Sequence, residues 1–154
     1  MIFIASLTLI GKETVYSLRG FCGLGLSFAA DGFGVILAVL TGAIWLITTI
    51  FSKEYMAAER NRNRYYFFVF LTLGATMGIF LSADLFTTFI FFEIMSFTSF
   101  VLVMHDEEDF TVRSAKTYLA VAVIGGLVTL MGLFMIYQKA GTLNMAELTA
   151  FMQS

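Results

Sequence analysis

One carboxylate stands apart from the other charged residues of this sequence. Glu93 is the ninth of 20 residues in the apolar run from Leu85 to Met104, which places it near the middle of a membrane-spanning helix. An acidic side chain there costs about 2.5–3.5 kcal/mol, so the group must be protonated or must have a cation close by. Ser96 follows about one turn later on a neighbouring face, and its hydroxyl can reach the same pocket. Both residues are candidates for a proton pathway.

Two plainer interpretations compete with this hypothesis. A neutral Glu93 could serve only as a hydrogen-bonding group between helices, although ionisable residues inside membranes usually mark ion or proton pathways. Lys116 is a second candidate, but it lies in the first turn of the last apolar run, where its stem can extend to the membrane interface. The other three long apolar runs contain no Asp or Glu. If protons move by carboxylate chemistry, Glu93 is the midplane group that the sequence offers.

Other combinations of reactive residues are weaker. His105 precedes the four acidic residues 106–109, and this group could hold a metal ion. A solvated loop whose carboxylates favour the positive end of the next helix explains it equally well. Gly23-x-Gly25 lacks the rest of a dinucleotide fingerprint, and the sequence has no paired cysteines, catalytic triad or phosphate loop. We expect no metal site, no bound cofactor and no redox chemistry in this chain.

The composition determines the kind of element that must position Glu93. The 154 residues are 59% hydrophobic and 13% charged, with a mean hydropathy of +0.89, whereas soluble domains are roughly 45–50% apolar and about 25% charged. The net charge of -2, with nine scattered Lys and Arg residues, argues against a nucleic-acid partner. Cys22 is the single cysteine, so no intrachain disulfide can form. The composition predicts an all-α integral membrane protein surrounded by the lipid bilayer.

Four apolar runs predict four transmembrane helices within a single membrane domain, residues 1–154. The runs cover residues 33–51, 66–83, 85–104 and 114–137. Helices of about 20 residues can cross a hydrocarbon core that is ~30 Å thick. The absence of proline from the sequence predicts that these helices are continuous.

Shorter segments precede the first span. The run from Met1 to Ile10 is about half a span long, which suggests an interfacial segment or the remnant of a helix. Leu24, Leu26 and Phe28 alternate with small residues, a period-2 pattern typical of a short strand. Asp31-Gly32 then predicts a turn and a helix cap before the first span.

Glycine pairs and a helix-capping pattern give two further predictions, close helix contacts and a short terminal helix. Gly74-x-x-x-Gly78 and Gly125-Gly126 permit close contact between helices, and we interpret them as packing signals only. After Gly141, which predicts a helix end, Asn144 and Glu147 have the spacing of a capping box. This spacing predicts a short amphipathic helix at the end of the sequence.

The basic residues predict the orientation in the membrane. Six Lys and Arg residues lie in or beside the loops that join the first span to the second and the third to the fourth, and three lie on the other side. The first group is Lys53, Arg60, Arg62, Arg64, Arg113 and Lys116; the second is Lys12, Arg19 and Lys139. The positive-inside rule places the two basic loops in the cytoplasm and both termini outside.

Several stretches, taken together, resemble one family. The sequence over roughly residues 28–148 is similar to the antiporter-like membrane subunits of respiratory complex I, the proton-translocating NADH:quinone oxidoreductase, and to their relatives in Mrp cation-proton antiporters and membrane-bound hydrogenases. The stretches that carry the resemblance, in matching order and spacing, are Asp31-Gly32, FSKEYM at 51–56, YYFF at 65–68, ADL at 83–85, FFEIMSFTSFVLV at 91–103, Ala115-Lys116, LFMIY at 133–137 and GTLN at 141–144.

The resemblance implies a subunit that translocates protons or sodium in a bacterial inner membrane, with other membrane subunits as partners. NADH or another donor, flavin, iron–sulfur clusters and quinone would then belong to partner subunits. Family subunits pair the glutamate that matches Glu93 with a lysine on the helix after the fourth span. Such a pair at ~4 Å, with an effective dielectric near 20, is coupled by about 4 kcal/mol, enough to change the protonation of a carboxylate.

The sequence also departs from the family pattern. It ends at Ser154, before the helix that carries the lysine, and the usual tryptophan before the glutamate is Phe92. These differences suggest a truncated, split or degenerate copy. Alternatives are therefore a non-transporting assembly or packing subunit, a degenerate fragment, or a small multidrug exporter, although such exporters carry their glutamate in the first span and Glu93 is in the third.

Overall fold

The structure is a computed structural model that describes residues 14–18, 25–58, 61–104 and 109–153. A β-hairpin is followed by four long helices and a short terminal helix, so the predicted helical membrane class is confirmed. The elements are β1 (Thr14–Leu18), β2 (Leu26–Ala30), α1 (Gly32–Tyr55), a 3-10 turn (Met56–Ala58), α2 (Arg62–Phe80), α3 (Leu85–Val103), α4 (Asp109–Ala140) and α5 (Met145–Gln153).

The four predicted spans correspond to α1, α2, α3 and α4. α1 and α4 extend beyond their apolar runs at both ends, because polar residues outside the hydrocarbon core can continue the same backbone hydrogen bonds. α3 matches its run to within one residue. α2 begins four residues before its run and ends at Phe80, three residues earlier than predicted, because residues 81–84 form the turn that pairs with β2. Among the described residues, three helices are long and apolar enough to cross a membrane: α1, α3 and the Thr111–Ala140 part of α4. The remaining predicted span, α2, is less apolar because it begins with Arg62 and Arg64 and carries several Thr and Gly residues.

The predicted helix caps are present. Asp31 caps α1, where its carboxylate accepts a hydrogen bond of 2.8 Å from the Gly34 amide. Asn144 caps α5 by accepting a bond of 3.0 Å from the Ala146 amide. Gly141 has φ +72°, a conformation that favours glycine, directly after the last residue of α4. The capping box differs from the predicted one in one respect. The Glu147 carboxylate accepts a hydrogen bond from the Thr142 hydroxyl and not from the Asn144 amide.

The predicted short strand is also present, as β2. It pairs with β1 in an antiparallel hairpin whose register matches Tyr16 with Phe28. Gly25, with φ 81°, immediately precedes β2. Leu24 and the predicted segment from Met1 to Ile10 lie outside the described residues, so both predictions remain open.

A polar network joins the hairpin to two helix connections at one end of the molecule. β2 hydrogen-bonds to the α2–α3 turn through the Ala29 amide and the Leu81 carbonyl, 2.8 Å apart. The same turn bonds to the α4–α5 connection, where the Leu85 amide donates to the Leu143 carbonyl at 3.0 Å. Three segments that are distant in the sequence therefore lie side by side in strand-like pairing around Asp84.

Helices α2 and α3 form the most extensive contact of the bundle. Gly78 lies directly against the ring of Phe91, so that a methyl group at position 78 would overlap the ring carbons. Thr72 and Thr98 are buried, and their hydroxyl oxygens are hydrogen-bonded at 2.9 Å. The close-contact signal is confirmed for Gly78, whereas Gly74 faces open space. This packing holds α3, and therefore Glu93, in a defined position.

Candidate functional site

Glu93 lies in the middle of α3, with its carboxylate against the backbone of α4. It is the ninth of the 19 residues of that helix and is half-buried. The contact on α4 is Gly126: a methyl group at that position would be 2.5 Å from Glu93 Oε1 and 3.0 Å from Oε2. The carboxylate therefore fills the space that any larger residue at position 126 would occupy. We refer to this as the Glu93–Gly126 contact.

A groove between α3 and α4 adjoins the Glu93–Gly126 contact. It has a volume of about 550 Å³, and Gly126 itself forms part of its wall. Most of the lining is apolar, but four of the lining residues carry a hydroxyl group. They are Ser96 on α3 and Thr117, Tyr118 and Thr129 on α4. The groove is large enough for several water molecules, each of which takes about 30 Å³ of liquid volume.

The carboxylate of Glu93 has no compensating partner in the part of the chain that the structure describes. No hydrogen bond or ion pair joins it to the residues of the described ranges. Lys116 is exposed near the start of α4. It precedes Gly126 by ten residues, which corresponds to about 15 Å along a helix. Within these ranges, the Glu93 carboxylate lies between two apolar helices and against the backbone of Gly126.

The predicted site residues differ in where they lie relative to this groove. Ser96 and Gly126 both line the groove, whereas Glu93 is not among the residues of its wall. That Glu93 and Ser96 share one pocket stays a prediction. Lys116 does not line that groove, although its neighbour Thr117 does. His105 and residues 106–108 lie outside the described ranges. Within those ranges no group of three or more His, Cys, Asp or Glu residues could hold a metal ion.

Two features of the site were not predicted as such from the sequence. The Gly125-Gly126 pair indicates close helix packing, but not that a carboxylate occupies the space beside Gly126. Asp84 also has a wider role than its position before α3 suggests. It is buried and caps α3 through the Thr87 amide at 2.7 Å, and it also accepts the Ser27 amide at 3.1 Å.

Comparison with known proteins identifies the family. Residues 82–154 match the transmembrane domain described as NADH:quinone oxidoreductase/Mrp antiporter. A Na(+)/H(+) antiporter subunit of Alkalihalophilus pseudofirmus is 31% identical over 124 residues, which cover 80% of this chain and 25% of the relative. A Na(+)/H(+) antiporter subunit of Bacillus subtilis is 30% identical over 125 residues, or 81% of this chain and 25% of that protein.

A solved structure has the same fold. It is that of the membrane-bound sulfane sulfur reductase, an archaeal respiratory membrane complex, in which one chain matches 98% of this chain with a TM-score of 0.81 and 24% identity. The match covers 24% of that longer chain. This chain therefore spans about a quarter of the length of the relatives that it matches. Residues 82–154 belong to the NADH:quinone oxidoreductase/Mrp antiporter transmembrane family, and over most of its length the chain is similar to the antiporter-like membrane subunits of the complex I and Mrp type.

Proposed function

We propose that this chain forms part of a membrane subunit that translocates protons or sodium, and that Glu93 is the protonatable group of the pathway. The observation that carries the proposal is the position of Glu93. A carboxylate in the middle of an apolar helix, without a hydrogen-bonding or charged partner among the described residues, is costly unless it is protonated or approached by a cation. Intramembrane acids of this kind usually mark ion pathways.

The surroundings of Glu93 support a role in ion movement better than a role as interhelical glue. A glutamate that only joined two helices would be expected to donate or accept a hydrogen bond across the interface. Among the described residues, the Glu93 carboxylate instead touches a glycine and makes no such bond. Ser96 and Thr129 line the adjoining groove, where water could carry protons to and from the carboxylate.

In this mechanism Glu93 alternates between protonated and ionised states. A charge in the middle of a membrane helix costs about 2.5–3.5 kcal/mol when nothing compensates it. A cation that approaches to ~4 Å favours the ionised form by about 4 kcal/mol at an effective dielectric near 20. Approach and withdrawal of such a cation, supplied by another segment or subunit, would release and take up one proton in each cycle.

The setting of this cycle is also part of the proposal. The subunit would work in a bacterial cell membrane beside other membrane subunits, with both termini outside. Any electron donor, flavin, iron–sulfur clusters and quinone would be held by the partner subunits. The Na(+)/H(+) antiporter names of two relatives favour proton and sodium over other ions.

The first experiment replaces Glu93 by Gln in the intact membrane complex that contains this chain. Glutamine has nearly the same size but cannot ionise, so we expect normal assembly and loss of ion translocation. Translocation is measured as the pH gradient formed across everted vesicles, and assembly as the amount of complex recovered.

The matched control is Glu147→Gln, which makes the same chemical change at an exposed carboxylate of α5. It should leave translocation near the wild-type level. Wild-type translocation by a fully assembled Glu93→Gln complex would rule out the proposal and favour the assembly or packing alternative.

A further inference from the structure

The Glu93–Gly126 contact is close enough to determine where the carboxylate lies. A methyl carbon at position 126 would be 2.5 Å from Oε1, and ordinary contact begins at 3.4 Å, so the oxygen would have to retreat by about 0.9 Å. The atoms that would be displaced are the far end of a flexible side chain. Because such a side chain can move at little cost, the added methyl group would displace the carboxylate from its place.

Other glycines of the same helix do not have this property. Gly125 and Gly132 both face open space, with nothing within 4 Å of a methyl group at either position. Gly126 is buried, whereas its neighbour Gly125 is exposed. The three heavy atoms nearest to a methyl group at position 126 all belong to the Glu93 side chain, so the absence of a side chain there is matched to that carboxylate.

We infer that Gly126 is a positioning residue for Glu93: by lacking a side chain, it leaves room for the carboxylate to lie against α4, next to the groove that Ser96 and Gly126 line. This inference rests on the proposed function, since it concerns the group proposed to carry the proton. Displacement of a reacting group by about 1 Å can cost on the order of 100-fold in rate. Gly126 would thus influence translocation without touching the transported ion.

The test compares Gly126→Ala with Gly132→Ala in the intact complex. Both variants add one methyl group to α4, but only the first meets Glu93. We expect Gly126→Ala to assemble normally and to lower the initial rate of ion translocation by about ten-fold or more. Gly132→Ala should retain the wild-type rate.

A second measurement follows the carboxylate itself and does not require translocation. Dicyclohexylcarbodiimide, an apolar reagent that modifies protonated carboxyl groups within membranes, is applied to each complex, and modification of Glu93 is quantified by mass spectrometry. Displacement from the α4 backbone should expose the group, so we expect faster modification in Gly126→Ala and an unchanged rate in Gly132→Ala.

A double substitution separates positioning from packing. Glu93→Asp shortens the side chain by one methylene group and leaves room for a methyl group at position 126. The factor by which Gly126→Ala lowers the translocation rate should therefore be smaller in the Glu93→Asp background. A general packing defect would cause the same loss in both backgrounds.

The outcomes distinguish this inference from the proposed function. If Glu93→Gln abolishes translocation while Gly126→Ala matches Gly132→Ala in both translocation and modification of Glu93, the positioning role is overturned and the proposed function stands. If Glu93→Gln translocates normally, the proposed function fails. In that case, faster modification of Glu93 in Gly126→Ala would still show the contact, but its role in translocation would be refuted.

Discussion

At the scale of single residues, the consequence of a glycine depends on what faces it. Gly78 meets the ring of Phe91, Gly126 meets the end of the Glu93 side chain, and Gly74 meets nothing within 4 Å. The Phe91 ring also makes an edge contact with Phe28, with ring centroids 5.6 Å apart. It therefore has less freedom to retreat than a carboxylate on a flexible stem.

We expect Gly78→Ala to lower the free energy of unfolding by about 1–3 kcal/mol, the usual cost of forcing extra atoms into a packed interface. Gly74→Ala is the matched control on the same helix. It should be neutral or stabilising by up to about 1 kcal/mol, because alanine favours the helix more than glycine does. Unfolding of the full chain in mixed detergent micelles measures both values, and equal effects would contradict the close contact with Phe91.

At the scale of elements, Asp84 joins segments that the helices alone would leave separate. Its carboxylate accepts the amide and hydroxyl of Thr87, both at 2.7 Å, and the Ser27 amide at 3.1 Å. Thr87 is fully buried, and its hydroxyl oxygen also accepts the Ser27 amide at 3.0 Å. One side chain thus caps α3 and anchors the β-hairpin to it.

Asp84→Ala should destabilise the fold by about 2 kcal/mol or more, because it removes a helix cap and leaves the buried Thr87 hydroxyl without its acceptor. Asp31→Ala provides the comparison, since Asp31 is an exposed cap whose carboxylate bonds only to Gly34 among the described residues. That change should cost about 1 kcal/mol. Thermal unfolding in detergent measures both, and a smaller loss for Asp84→Ala than for Asp31→Ala would contradict the anchoring role.

At the scale of the whole molecule, the apolar surface far exceeds what the chain buries. The apolar segments of α1, α3 and α4 are only 17%, 11% and 11% buried within the structure. Lipid and further helices must cover the rest, since exposed patches of this size are not maintained in water. The two ends of the bundle also differ: one carries the Asp84 network, and the other carries the basic residues around Lys53, Arg62 and Arg113.

This arrangement predicts the membrane topology. Two variants test it, each with Cys22 replaced by Ser so that one thiol remains. One carries Ala57→Cys and the other Ala146→Cys, at exposed positions near opposite ends of the bundle. A membrane-impermeant maleimide should label position 146 from outside intact cells and position 57 only after the membrane is permeabilised, because the positive-inside rule predicts that the basic end faces the cytoplasm. The reverse pattern would overturn the predicted orientation, and labelling of both positions from one side would refute the membrane-spanning arrangement.

By itself, the sequence determined the membrane class, the places of the four long helices and the helix ends at Asp31, Gly141 and Asn144. These features are local: an apolar run long enough for the bilayer, or a side-chain oxygen beside free amides, has the same meaning in many folds. The apolar residues on both sides of Glu93 were also enough to identify its carboxylate as costly, and the motif around it indicated the family.

Only the tertiary structure decided what surrounds that carboxylate. Helices that are apolar on every side carry no sequence pattern to show which face meets which neighbour. Rotation and axial register of α3 against α4 placed Gly126, and neither Gly125 nor Lys116, beside Glu93. Likewise, the pairing of three distant segments around Asp84 depends on how the helix ends meet, because backbone hydrogen bonds between segments follow from proximity in space.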